Sequence, residues 1–229
     1  MPLKSRLKTA ACFVFILECI FTFGGPCFAF EDEGFQFWAS TSTSLDISQN
    51  WAAMFHREFR LGDDGGTLYY QHSELGAMYK GLAEWLELGF NYRQIFERDD
   101  ERVWKLENRP HVNITLKGKL SDLDLSNRSR FEYRIREDKD DLWRYRDKVT
   151  VKLPDELTGL KLKPYVANEV FITLDDCDYN VNRFYSGINF DFFLFKKIQA
   201  DVFYLWQSSK SHDDWKDIHV LGTGLKILF

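Results

Sequence analysis

A two-residue alternation runs through almost the whole chain, and no other feature restricts its fold as much. From Gly34 to Phe229, apolar or aromatic residues alternate with polar or charged ones in segments of about 12 to 16 residues, broken by short polar clusters. A period of two places successive side chains on opposite faces of an extended strand, and no segment carries a 3.6-residue stripe. The pattern predicts strands over 35–47, 51–61, 67–79, 84–97, 103–117, 122–136, 142–153, 160–174, 181–192, 197–208 and 215–229. Within 30–229 no stretch approaches 18 consecutive apolar residues, so no helix there can span a bilayer. A membrane-embedded form of this chain has to be a closed barrel, the strand arrangement that satisfies every backbone donor and acceptor in lipid.

The alternation is polarised. In LSNRSRFEYRIR, Arg128, Arg130, Glu132, Arg134 and Arg136 share one face, and Ser129, Phe131, Tyr133 and Ile135 share the other. Arg144, Arg146, Lys148, Thr150 and Lys152 likewise oppose Tyr145, Val149, Val151 and Leu153, with Asp147 an exception expected near a rim. A soluble sandwich buries its apolar face, whereas an outer-membrane barrel turns that face to lipid and its charges to the lumen. The breaks also differ in chemistry. LGDDGG, ERDDER, REDKDD, DDCDYN and SSKSHDD alternate with SQN, YKGL, KGKLSD, LPDELTG and DFFLFKK, so one rim is strongly acidic. Long external loops and short periplasmic turns are the expected counterpart.

Both ends of the chain fit export to such a membrane. Lys4, Arg6 and Lys8 precede an apolar stretch from Thr9 to Phe23, and Cys27-Phe28-Ala29 offers a small-residue exit, so a signal peptide cleaved after Ala29 is expected. Lipidation at Cys27 is the alternative, weakened by Pro26. At the other end Phe229 shares a face with Ile227, Leu225, Thr223 and Leu221. An alternating last strand that closes on an aromatic residue resembles the signal read by the barrel-assembly machinery, which makes Phe229, Ile227 and Leu225 the candidate assembly signal. The expected fold class is therefore an all-β, antiparallel transmembrane barrel of about 10 to 12 strands formed by residues 30–229. Bacterial barrels have even strand numbers. Eleven segments break that parity, so ten or twelve strands are expected: either one strand is miscounted, at the N-terminal end, or residues 30–34 are threaded unusually.

Removing residues 1–29 leaves 27 basic against 34 acidic residues, a net charge of about −7, which excludes a generally basic nucleic-acid binder. Cys177 is then the single cysteine, so no internal disulfide or cysteine metal site is expected. No cofactor motif and no metal-ligand spacing is read. Trp38, Trp51, Trp85, Trp104, Trp143, Trp206 and Trp215 fall near strand ends and are candidates for interfacial girdles.

NRSRFEYRIREDKDDLWRYRDKVTVKLP, together with REFRLGDD, LYYQHSELG, GFNYRQIFE, FYLWQSS and VLGTGLKILF, resembles the family catalogued as domain of unknown function 2490. The resemblance covers nearly the whole mature chain. It implies an outer-membrane barrel without an assigned activity and brings no catalytic residues with it.

The charged face is the principal functional candidate. Arg128, Arg130, Glu132, Arg134, Arg144, Arg146 and Lys148 head it, with Glu74, Arg93, Glu169 and Arg183. Glu58, Arg60, His72, Asn91, Glu107, Arg109, His111, Asn113, Asp191 and Asp201 extend it, and Pro110 is a candidate bulge. Two readings stay open. Mutually neutralising ion pairs fill the lumen, or arginine rows line a narrow path that prefers small anionic solutes. A lipid-modifying hydrolase is the alternative from another class. His72 and Ser73 cannot act together, since adjacent strand residues face opposite ways, and His219 has no serine on its face of its own strand. Expected partners are outer-membrane lipid and lipopolysaccharide, with the acidic loops as candidate ligands for bridging cations. Plain solvated loop tips are the simpler account of those acids, and an incidental loop thiol that of Cys177.

Overall fold

The computed structural model describes residues 34–62, 66–99, 101–154, 162–193, 197–211 and 214–229. The expected signal peptide, its cleavage point and Cys27 lie outside them. The described residues form eleven strands: β1 (Phe35–Asp46), β2 (Trp51–Gly62), β3 (Thr67–Ala83), β4 (Leu86–Arg98), β5 (Trp104–Leu120), β6 (Leu123–Arg136), β7 (Leu142–Lys152), β8 (Leu162–Thr173), β9 (Asp178–Phe193), β10 (Lys197–Ser211) and β11 (Asp214–Leu228).

They close into one barrel in chain order, with β1 against β11. The expected even number is corrected by this closure. In an up-and-down meander direction alternates, so the first and last of eleven strands run the same way. They pair in parallel, from Phe35 opposite His219 to Ser44 opposite Leu228. All other neighbours are antiparallel. β1 therefore starts at the rim carrying the acidic connections, and β11 ends at the opposite rim.

The division of connections between two rims follows the sequence pattern, but their lengths do not. The connection from β7 to β8, residues 153–161, is the longest and lies on the rim opposite the acidic one. The two rims thus differ in charge and not in loop length. Pro110 makes no bulge. Glu107 faces Arg136 and His111 faces Glu132 in one continuous register.

Register fixes which side chains share a face. Trp38 sits beside Arg60, Arg60 beside Tyr70, and Glu74 beside Arg93, and these residues all point inward. Away from the register shifts at Arg60/Leu61, Tyr79/Ala83 and Phe171/Ile172, the odd positions of β4, β5, β8, β9 and β10 and the even positions of β1, β2, β3, β6, β7 and β11 belong to the lumen, and beyond the last shift Tyr179 turns outward opposite Ile172. Leu75, Phe90, Tyr92, Val112, Phe131, Val149, Phe184, Val202 and Leu221 are exposed on the outer wall. Where the wall must be thin, glycine allows it: a Cβ on Gly222 would lie 2.0 Å from the Phe203 ring, which packs over that backbone inside the lumen.

Candidate functional site

The central rows of the lumen hold five carboxylates, Glu58, Glu74, Glu107, Glu132 and Glu169. Ten cations face them: Arg60, Arg93, Arg109, Arg128, Arg130, Arg134, Arg144, Arg146, Lys148 and Arg183. Each carboxylate is held by at least one arginine. Glu74 accepts from Arg93 Nε at 2.7 Å and from Asn91 Nδ2 at 2.9 Å, with His111 Nε2 3.4 Å away. Glu107 takes two bonds from Arg134, both at 2.8 Å, and two from Arg109, from Nε at 2.8 Å and Nη2 at 2.6 Å. Glu58 pairs with Arg60 at 2.7 Å.

Two carboxylates tie this layer across strands. Glu132 of β6, fully buried, is bonded by Arg144, with Arg146 Nη1 at 3.7 Å and Arg109 Nη1 at 3.9 Å. Glu169 of β8, 1% exposed, accepts from Arg146 Nη2 at 2.8 Å, Arg128 Nη2 at 3.0 Å and Tyr185 Oη at 3.0 Å. Arg146 thus bridges both. Removing such charges from water is costly, and only several simultaneous partners offset that cost. The arrangement supplies them from five strands, β5 to β9.

The cations outnumber their partners. Arg130 is 4% exposed and has no carboxylate within 4 Å among the described residues. Its Nε donates to Asn113 at 2.7 Å, and its Nη1 has no partner. Arg183 bonds Gln207 at 2.7 Å and stacks on Trp38 and Phe171.

Opposite the arginine rows the lumen is aromatic and apolar. Trp38, Tyr165, Ala167, Tyr185, Leu205 and Val220 form one buried cluster, with Phe203 and Ile218 against it. Trp38 is therefore no girdle residue; it lies in the lumen with Arg60 3.7 Å above its ring, a cation–π contact. The sequence reading missed this half of the interior, although Trp38 shares its parity with Ser40 and Ser42.

Arg128, Arg130, Glu132, Arg134, Arg144, Arg146, Lys148, Glu74, Arg93, Glu169 and Arg183 all meet in this one interior. Asp191 and Asp201 lie inside too, but nearer the C-terminal rim. Asp147 is a correction: it sits mid-strand on the outer wall, away from either rim, and is satisfied there by Asn127 at 2.8 Å, Ser129 at 2.9 Å and Tyr145 at 3.1 Å. His219 also faces outward and bonds the Tyr204 hydroxyl at 2.6 Å, so its partner is a phenol. Phe229 extends the β11 ladder, its N–H donating to Ser44 O at 3.0 Å, and Ile227 and Leu225 face outward with it. Cys177 is free and exposed in the β8–β9 connection.

A family model described as Protein of unknown function (DUF2490) matches residues 35–217. The chain belongs to that family. The matched span includes every strand of the DUF2490 barrel up to the start of β11, and with it the whole central ion-pair layer. No curated protein and no solved structure matches the chain.

Proposed function

We propose that the protein is an integral β-barrel of a Gram-negative outer membrane, exported by a cleaved signal peptide, whose lumen is closed by its own ion-pair layer. One observation carries this reading. Large apolar side chains are exposed around the outer wall, while Glu132, Glu169 and Arg130 are buried inside. Water as the outer solvent would penalise both halves of that arrangement, and lipid favours it.

Aromatic pairs on the outer wall near the two rims support it. Trp51 packs at a tilt against Tyr79, centroids 4.8 Å apart, toward the C-terminal rim, and Trp143 against Tyr133 at 4.9 Å and Trp215 against Tyr179 at 5.4 Å toward the acidic rim. Amphipathic rings of this kind favour the headgroup level. Strands of eleven or more residues, tilted as in other barrels, reach about 30 Å, enough for the apolar core. We place the acidic rim at the cell surface, beside lipopolysaccharide, and the C-terminal rim in the periplasm.

The surplus of cations favours a second reading, a narrow path that prefers anions, because unpaired positive rows raise local anion concentration. The closed central layer gives the structural reading precedence. Fractionation tests the membrane claim: the protein sediments with outer membranes, needs detergent for extraction, and migrates differently before and after boiling. Solubility without detergent would overturn it. Cys177 is a native reporter of orientation. A membrane-impermeant maleimide labels it on intact cells if the acidic rim faces outward, and labelling only after lysis would reverse the orientation.

A further inference from the structure

Three lysines that the central layer does not pair gather in one place, beside Arg128, whose Nη2 is held by Glu169 at 3.0 Å. Toward the C-terminal rim the lumen widens into two adjoining cavities of about 270 and 280 Å3, which share Lys152, Asn189 and Asp201. Arg128, Lys148, Lys152 and Lys226 line them, against Asp201 as the one carboxylate among the described residues. Among the described residues, the other lysines in this half of the barrel are paired: Lys80 with Asp46, Lys117 with Glu87, Lys119 with Asp124, and Lys163 and Lys197 with Asp191. Lys148, Lys152 and Lys226 have no carboxylate within 4 Å among the described residues. Lys148 Nζ instead sits 3.5 Å over the Tyr185 ring, and Arg128 keeps a buried Nε without a partner.

We propose that this vestibule binds a compact, multiply charged oxyanion of the phosphate class, held by Arg128, Lys148, Lys152 and Lys226. Arg128 and Lys148 line one cavity, Lys226 the other, and Lys152 both, so the four cations flank two adjoining polar spaces; an oxyanion with more than one negative charge and at least three acceptor oxygens balances them better than a singly charged carboxylate. The hydroxyls of Ser42, Ser126 and Thr150 add neutral donors on the same walls. Asp201 opposes an anion least where it is: it already accepts from Tyr165 Oη at 3.0 Å and Asn189 Nδ2 at 2.7 Å. Glu169, the next carboxylate inward, is engaged by Arg146, Arg128 and Tyr185. With the lumen closed by the central layer, as proposed above, the ligand enters and leaves by the C-terminal rim. Which compartment that is rests on the orientation proposed above; the binding itself does not.

The test is calorimetric titration of the refolded full chain in detergent with inorganic pyrophosphate, against chloride at matched ionic strength. Saturable one-to-one binding is the expected result. Lys148→Gln with Lys152→Gln weakens it by at least about tenfold, the ordinary worth of lost charge-assisted hydrogen bonds, and Asp201→Asn tightens it severalfold. Lys139→Gln, at the acidic rim, leaves it unchanged. Absence of saturable binding, or equal affinity in the wild type, the double variant and Asp201→Asn, would overturn the proposal, and so would binding that Lys139→Gln abolishes. Should the double variant fail to fold, the direction of the Asp201→Asn effect decides. Failure of the protein to fractionate with outer membranes would sink the reading of its location and leave this result standing.

Discussion

The central layer and the vestibule both set basic side chains against carboxylates inside the same barrel, and β6 and β7 supply cations to both, but the two differ in what surrounds those charges. At Glu132 and Glu169 every carboxylate oxygen is approached by arginines from neighbouring strands, and both side chains are out of contact with solvent. One and three inward positions beyond Arg146 along β7, Lys148 and Lys152 have hydroxyls and a ring for neighbours and line open space. Charge is locked in the first region and available in the second. The difference comes from which cross-strand partner the register supplies: Glu169 lies opposite Lys148 in register but bonds Arg146, one pleat closer to the acidic rim.

If that contrast is real, substitutions separate by region. The largest effect is expected at Glu132→Ala, which leaves Arg144, Arg146 and Arg109 without their shared acceptor. A loss of about 3–5 kcal/mol, the cost of breaking a buried ion pair, is the expected fall in unfolding free energy of the refolded barrel in a urea titration. A change below 1 kcal/mol would mean water reaches the layer.

Arginines of the same layer sharpen the contrast further. Arg146→Gln breaks bridges to both Glu132 and Glu169 and is expected to cost about 3 kcal/mol. Arg130→Gln forfeits a bond to Asn113 and relieves crowding among like charges, so its cost stays within about 1 kcal/mol. Equal losses would contradict the pairing scheme. Gly222→Val tests the aromatic half: the new side chain displaces Phe203, for about 1–3 kcal/mol of overpacking, visible as a lower thermal midpoint. The smallest effect belongs to the vestibule. Lys148→Gln with Lys152→Gln is expected to change stability by no more than about 0.5 kcal/mol, since among the described residues neither lysine has a carboxylate within 4 Å to abandon.

Period-two alternation bounded by turn residues made the strands legible to within a few residues, and parity alone assigned Arg128 to Arg136 and Arg144 to Lys152 to one face. Alternation says nothing of which strands become neighbours at closure, so the parallel β1–β11 seam was invisible and an even strand number was expected in its place. Depth in the wall is equally hidden, because it depends on strand stagger, and for that reason Asp147 was expected near a rim. Trp38 was a different kind of miss. Its parity already pointed inward, but its nearness to a strand end suggested a girdle, and the guanidinium stacking that holds it comes from β2 and β9, distant in sequence. The ion pairs themselves, and the lysines without any, depend on diagonal contacts across strands that no single strand records.

Conductance is the most direct test of the claim that the central layer closes the lumen. Refolded protein in a planar bilayer is expected to give no sustained channel steps, and the triple variant Arg130→Gln, Arg134→Gln, Arg146→Gln is expected to lose thermal stability without gaining any. Steady anion-selective steps in the wild type, with selectivity that falls in a stably folded triple variant, would contradict the account and show that the arginine rows line a path.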